Sequence, residues 1–347
     1  MKTYKFKKTK SILLSAISAL LLSAPTLASA NEKITIAALT FVSSSPLFIA
    51  QEKGYYADEG LDVEFKFFRA AQPVAVSIVS GDADFGVTAF TAGFFNLAGK
   101  GALKVVGAQS REVAAIDGSA ILVSNKAYAA GLTQVNQLKG HTFAISQVGS
   151  SFHYMIGQVA AANNIALKDI KLKPLQSVPN MIGALKSGQV DSMIIVPHIA
   201  KALDKAGAAK IIGWVKDYAP YQVGGLFTSV KNIEQKRDVV EKFIRAYTRG
   251  AQDYSQAMLQ LDADGNRKFG PKADEIVPLI NKYVYKGKEA GAKIRAGAMF
   301  IDAQARLDIG SIHQQVGWYQ GQGMVNKSVD ADDIIDTSFI EGHFNQP

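Results

Sequence analysis

Two serine clusters stand where apolar runs stop. Ser43, Ser44 and Ser45 follow KITIAALTFV, and Ser150 and Ser151 follow HTFAISQVG, each just before residues with helical spacing. A hydroxyl at such a junction can attack a substrate, cap the helix or offer donors to an anion. The neighbours argue against attack. A hydrolase elbow reads G-x-S-x-G, whereas Gly149-Ser150-Ser151-Phe152-His153 lacks the second glycine and places its histidine inside the next helix, with no acid marked out to orient it. No G-x-x-x-x-G-K-[ST] loop and no dinucleotide fingerprint is present. His141, His153, His198, His313 and His343 form no pair at metal-ligand spacing. The stretch Asp262-Ala263-Asp264-Gly265-Asn266 begins like a calcium loop, but its glycine is misplaced and Ala273 stands where the closing glutamate belongs. The sequence therefore predicts no metal and no cofactor, and leaves capping or anion contact as the work of the serines.

Other candidates lie at the ends of apolar runs. Phe41 precedes the first serine cluster, Thr88, Ala89 and Phe90 end the run beginning at Phe85, Gly149, Phe152 and His153 flank the second cluster, and Pro197 and His198 follow SMIIV. Aromatic rings there can wall a pocket or fill the core, and the sequence does not separate the two for Phe41, Phe90, Phe152, His153 or His198. Arg111 is read as the cation nearest a strand end and can clamp a carboxylate or sulfonate, although a salt bridge with Glu112 or another acid suits it equally. His141, His313 and His343 read as surface or capping residues, and Asp84 and Asp191 as turn formers. Each serine cluster alone is an ordinary cap. Two equivalent clusters favour ligand contact by at least one.

The equivalence extends beyond the serines. At an offset of 107 residues Thr35 falls on Thr142, Ala37 on Ala144, Asp62 on Asp169, and Ser80-Gly81-x-x-Asp84 on Ser187-Gly188-x-x-Asp191. Shifted by one, KVVG at 104–107 falls on KIIG at 210–213. Each copy runs strand, helix, strand, helix, strand, with a proline (Pro73, Pro179) near the start of the second helix and a glycine (Gly81, Gly188) at its end. This alternation predicts an α/β protein of two lobes, each a mostly parallel sheet flanked by helices. The expected organisation is a leader at 1–30, the first part of lobe I at 31–117, lobe II at 118–224, and the completion of lobe I with extra C-terminal helices at 225–347. The chain crosses between lobes near GSAILVSN (118–125) and VGGLFTSV (223–230), with Gly224-Gly225 a candidate pivot. In parallel sheets ligands bind beyond the carboxyl ends of the strands, so two facing lobes would bring the candidate loops to one cleft.

The first thirty residues read as a secretory signal: a lysine-rich start, the apolar SILLSAISALLL and the small-residue ending Ala28-Ser29-Ala30, with cleavage expected after Ala30. The formal charge of +8 falls to +3 once the five lysines of that stretch are set aside, so the basic balance gives no reason to expect nucleic acid. The densest basic stretch beyond it, LKDIKLK, alternates like a solvated edge strand. Cysteine is absent, which suits a secreted chain long enough to bury a core without disulfides.

PLFIAQEKGYYADEGLDVEF, SGDADFGVTAF, LKGHTFAISQVGSS and LKSGQVDSMIIVPH resemble the periplasmic solute-binding proteins of ABC importers for nitrate, taurine, alkanesulfonates and thiamine-pyrimidine precursors. The likeness covers about residues 33–230. It implies a type II periplasmic-binding fold that closes on a small solute, with delivery to an ABC permease in the inner membrane. It places contacts at Phe41 and Ser43–Ser45, at Thr88–Phe90 and at Gly149–His153, with Val196–His198 a further candidate. The expected ligand is a small organic anion, an aromatic carboxylate or sulfonate, held by a periplasmic monomer that is not an enzyme. A thiamine-pyrimidine precursor is the alternative ligand. A pyrimidine-synthase-like enzyme of the same kinship is disfavoured, because those enzymes carry a cysteine-rich segment and this chain has no cysteine.

Overall fold

A computed structural model describes residues 1–5, 31–286 and 290–344; most of the expected leader, including its cleavage point, lies outside the described residues. The chain opens with β1 (Glu32–Ala38), α1 (Ser45–Glu52), α2 (Tyr55–Asp58), β2 (Leu61–Phe67), α3 (Ala71–Val79), β3 (Phe85–Ala89), α4 (Ala92–Ala98) and β4 (Leu103–Ala108). A short strand β5 (Arg111–Glu112) then leads into β6 (Ala120–Val123), α5 (Asn125–Ala129), β7 (Thr142–Ile145), α6 (Ser151–Ala162), β8 (Lys171–Pro174), α7 (Val178–Lys186), β9 (Ser192–Ile195), α8 (Pro197–Lys205) and β10 (Lys210–Trp214). The return is made by β11 (Tyr221–Gln222) and β12 (Gly224–Ser229). The helices α9 (Val230–Gln235), α10 (Arg237–Met258), α11 (Ala273–Val284), α12 (Gly291–Ala296) and α13 (Ile309–Gly321) follow.

Two five-stranded sheets result, ordered β2-β1-β3-β12-β4 and β8-β7-β9-β6-β10. The orders are equivalent position by position, so the sequence offset of 107 is a structural repeat. Its clearest mark is a pair of carboxylates. Asp84 accepts the Thr35 N–H at 2.8 Å, and Asp191 accepts the Thr142 N–H at the same distance, each tying the start of a third strand to its neighbour. The sheets are mixed rather than purely parallel. In each, the strand arriving from the other lobe (β6 or β12) runs antiparallel to both neighbours, because a chain entering from the opposite side meets the sheet head-on. β8 is the edge of its sheet, with Lys171 and Lys173 exposed, as the alternating basic stretch implied.

One core lies between lobe I's sheet and the C-terminal helices. Val239, Val240, Phe243, Ile244 and Tyr247 of α10 pack with Phe48 and Phe85, and Ile276 and Ile280 of α11 join them. Phe85 stacks on Phe243 with centroids 4.1 Å apart. The other core spans the interior of lobe II and continues through Phe90, Phe94 and Phe95 to Tyr319 of α13.

The crossings meet in a ribbon of their own. β5 pairs antiparallel with β11, Glu112 opposite Tyr221 and Arg111 opposite Gln222. Gln222 binds this ribbon to α13: its N–H donates to Ser311 Oγ at 2.8 Å, and its side-chain amide donates to the Gly224 carbonyl at 2.6 Å. Gly224 and Gly225, the candidate pivot, are held by strand pairing on both sides instead of lying in a free connection. They sit inside the ladder between β3 and β4, where a Cβ on Gly224 would stand 2.3 Å from the Thr88 carbonyl oxygen. Close approach explains these glycines. No helix among the described residues is long and apolar enough to cross a membrane.

Candidate functional site

A cavity with about 580 Å³ of empty space, part of it open to solvent, lies at the seam of the two sheets. Its walls come from the carboxyl ends of parallel strands: Leu39, Phe41 and Ser43 after β1, Ala70 after β2, Thr88 and Ala89 at β3, Gln109 and Ser110 after β4, Ser146 after β7 and Val196 after β9. The antiparallel crossing strands contribute the residues just before them, Ser119 and Val223. Ser151, Phe152 and Met155 project from the first turns of α6, and Val178 opens α7.

Among the described residues, no charged side chain lines this cavity. Its polar supply is neutral: the Gln109 amide and the hydroxyls of Ser43, Thr88, Ser110, Ser119, Ser146 and Ser151. The hydroxyls of Ser43, Thr88, Ser110, Ser146 and Ser151 have no hydrogen-bond partner among the described residues, although all five residues are largely buried. Each of these hydroxyl oxygens opens on the cavity, so their convergence offers a ligand a set of polar groups that the protein itself leaves unused. Helices α1, α3, α6, α7 and α8 all begin at or beside this wall. Each start carries partial positive charge, although Pro46, Pro73, Pro179 and Pro197 offer no N–H in the first turns of α1, α3, α7 and α8, and the Val178 and Asn180 N–H groups of α7 are donated to Arg69 and Ser177.

The serine junctions differ in detail. In lobe II the Ser150 side chain caps α6 by accepting the His153 N–H at 3.3 Å, and its carbonyl accepts the Tyr319 hydroxyl at 2.9 Å, so Ser151 is the serine that faces the cavity. In lobe I a 3-10 turn at Val42–Ser44 precedes α1 and turns Ser43 inward. Ser45 donates back to the Val42 carbonyl at 2.6 Å, and Ser44 is fully buried. Gly149 is a joint rather than a wall. Its φ of +79° needs glycine, its carbonyl accepts the Ala92 N–H of lobe I at 2.8 Å, and an added Cβ would stand 2.8 Å from that of Ala92.

Four other expected contacts lie elsewhere. Phe90 is core, packed on Phe94 and Phe95 at 5.2 and 5.6 Å. Pro197 is buried in the first turn of α8 and lines neither chamber. His153 turns back: Nδ1 accepts the Gly149 N–H at 3.1 Å and the ring meets Trp318 edge-on. Burial lowers its pKa and keeps the ring neutral, as an accepting Nδ1 requires. Arg111 donates to Asp308 at 2.8 Å in a buried ion pair and lies 4.9 Å from the Phe344 ring. Its charge is spent on holding β5 to the start of α13, which removes it from the cavity wall.

His198 faces a second, outer cavity with about 620 Å³ of empty space. This chamber shares Leu39, Phe41 and Val178 with the first and adds Phe68, Arg69, Ile182 and Tyr285. The His198 ring meets Phe41 at 5.6 Å and Tyr285 at 6.2 Å, both edge-on. Burial drives its pKa down to about 3, so it is neutral.

Sequence reasoning missed Gln109, Ser110, Ser119, Ser146 and Arg69. All lie just beyond a strand end or just before a crossing strand, so the strand-end rule, applied to every strand instead of four loops, points to them. Met155 follows Ser151 by one helical turn. Among the described residues one cluster has metal-ligand geometry, His313 with Asp330 and Asp332, all exposed; His313 pairs with Asp332 at 2.8 Å on the surface.

A family profile described as NMT1/THI5 like matches residues 42–257. The chain belongs to the NMT1/THI5-like family. A Bacillus subtilis (strain 168) protein, provisionally named an aliphatic sulfonates-binding protein, is 23% identical over 305 residues, covering 86% of this chain and 85% of its own. Among solved structures, the alkanesulfonate-binding protein SsuA from Xanthomonas axonopodis pv. citri bound to MOPS superposes with a TM-score of 0.71 at 18% identity, covering 88% of this chain and 98% of that one. The periplasmic nitrate-binding protein NrtA from Synechocystis PCC 6803 gives 0.69 at 14% identity, covering 88% and 86%. The fold of this NMT1/THI5-like chain is that of the periplasmic binding proteins.

Proposed function

We propose that the protein is the solute-binding component of an ABC import system, working outside the cytoplasmic membrane, and that it captures an organic sulfonate between its two lobes. The observation that carries this reading is the inner cavity itself: among the described residues, five unpartnered hydroxyls and the starts of five helices surround one space, with no cation in its lining. A sulfonate spreads its charge over three oxygens and suits an array of neutral donors. A carboxylate concentrates its charge and gains more from a guanidinium, which the inner wall lacks now that Arg111 is paired with Asp308. Bare nitrate makes little use of Phe41, Phe152 and Met155.

The lobes, 31–117 with 225–347 and 118–224, rotate about the β5/β11 ribbon, and ligand draws them together by binding the closed form more tightly. The closed protein then meets a permease. An enzymatic role finds no support in the site, because among the described residues lining the inner cavity there is no titratable side chain and no nucleophile with a base beside it. Titration calorimetry with alkyl and aryl sulfonates, matched carboxylates and pyrimidines tests the reading. One-to-one binding strongest for sulfonates supports it, and tighter binding of a pyrimidine would replace it with a thiamine-precursor role.

A further inference from the structure

We propose that the ligand is elongated, with an oxyanion head in the inner cavity, an apolar body running past Phe41 into the outer one, and a second anionic group meeting Arg69 at the outer mouth. This inference rests on the cleft reading above and extends it. The two cavities share Leu39, Phe41 and Val178, so they are one site with a waist. Their chemistry differs. The inner chamber is rich in hydroxyls, whereas the outer one is walled by Phe41, Phe68, His198 and Tyr285.

A small sulfonate fills only the first chamber and leaves the aromatic walls of the second in water. An aromatic body would cover them and meet ring edges and faces at Phe41, His198 and Tyr285. His198 is neutral, and its backbone packs closely on Gly297, where an added Cβ would stand 2.1 Å from the His198 Cβ. It adds wall without adding charge.

Arg69 is the charged side chain among those lining either chamber. It is exposed and takes part in no ion pair among the described residues, whereas Lys53, Lys201, Lys216 and Arg245 are all paired. Its backbone is anchored, because the Arg69 carbonyl accepts the Val178 N–H of the other lobe at 3.4 Å. A cation fixed at the seam and free at its tip is suited to a distal carboxylate or sulfonate.

Titration calorimetry on the purified protein with three probes decides the matter: benzenesulfonate, its 4-phenyl extension, and that extension bearing a distal carboxylate. The added ring is expected to strengthen binding by roughly tenfold through burial of apolar surface. The carboxylate adds about fivefold, a gain that disappears in Arg69→Gln while benzenesulfonate binding stays unchanged. Arg69 is exposed, so an unaltered melting temperature certifies the variant's fold. Binding of benzenesulfonate with no gain from the ring, or an equal loss for all three probes in Arg69→Gln, overturns the inference and leaves the cleft reading standing. Failure of all three to bind the unaltered protein overturns the cleft reading and this inference with it.

Discussion

The division of labour between neighbouring serines sets the first expectation. Ser150 caps α6 through its side chain, whereas the hydroxyl of Ser151 has no partner among the described residues and lines the cavity. Ser150→Ala is expected to cost about 1 kcal/mol of folding stability, read by denaturant unfolding, with ligand affinity nearly unchanged. Ser151→Ala is expected to leave stability intact and weaken sulfonate binding roughly tenfold, because a charged acceptor loses one donor. The reverse pattern would mean that the cap and the ligand contact have been exchanged. These roles were only half legible in the sequence. The serine clusters were visible, but which serine turns inward depends on the 3-10 turn at Val42–Ser44, a local choice with no marker in the residue types. Arg111 misleads for a similar reason: its partner Asp308 lies 197 residues away, and no local pattern announces it.

At the scale of elements, the β5/β11 ribbon and the start of α13 form a buried polar joint, the proposed hinge. The Arg111–Asp308 pair is almost wholly out of water, so Asp308→Ala removes the carboxylate that faces a buried cation and is expected to destabilise the fold by roughly 3 kcal/mol in thermal or denaturant unfolding. Beside it, Glu112 is fully buried. One of its carboxylate oxygens accepts the Ser119 N–H at 2.8 Å, and burial pushes its pKa up from 4.5 to about 7, partly offset by the contacts of Ser119. With the folded pKa above the unfolded one, the folded state holds the extra proton between pH 4.5 and 7. Glu112 therefore destabilises progressively as pH rises through that window. Glu112→Gln is expected to raise folding stability at pH 8 by on the order of 3 kcal/mol at most, read as a higher melting temperature, with the gain vanishing near pH 4.5. His198 acts in the opposite sense: its lowered pKa makes the fold lose stability as pH falls below 6.5. A gain for Glu112→Gln that persists at pH 4.5 would contradict this assignment. The elements themselves were largely readable from periodicity and from the offset of 107, and so were both crossings. The antiparallel insertion of β6 and β12 was not, since strand direction is set by where the chain enters a sheet and not by its own residues.

The whole molecule has its lobes in contact. Besides the Gly149–Ala92 and Arg69–Val178 backbone bonds, Lys201 of α8 donates to the Ala296 carbonyl at the end of α12, at 2.9 Å, and to Asp117 at 2.8 Å. Such contacts stabilise closure only as far as they are absent from the open form. Gly149→Ala is expected to oppose closure, since its φ of +79° and the nearby Ala92 Cβ both resist a side chain. Small-angle scattering is expected to give a larger radius of gyration for that variant, and ligand affinity is expected to fall though no contact to ligand is removed. The central claim is that the neutral, donor-rich cavity between the lobes holds an organic sulfonate. Titration calorimetry of the purified protein with benzenesulfonate, run alongside Ser151→Ala, tests it most directly. One site per chain and a roughly tenfold weaker Kd in the variant are expected. Heats no larger than dilution, or identical binding by both proteins, would contradict it.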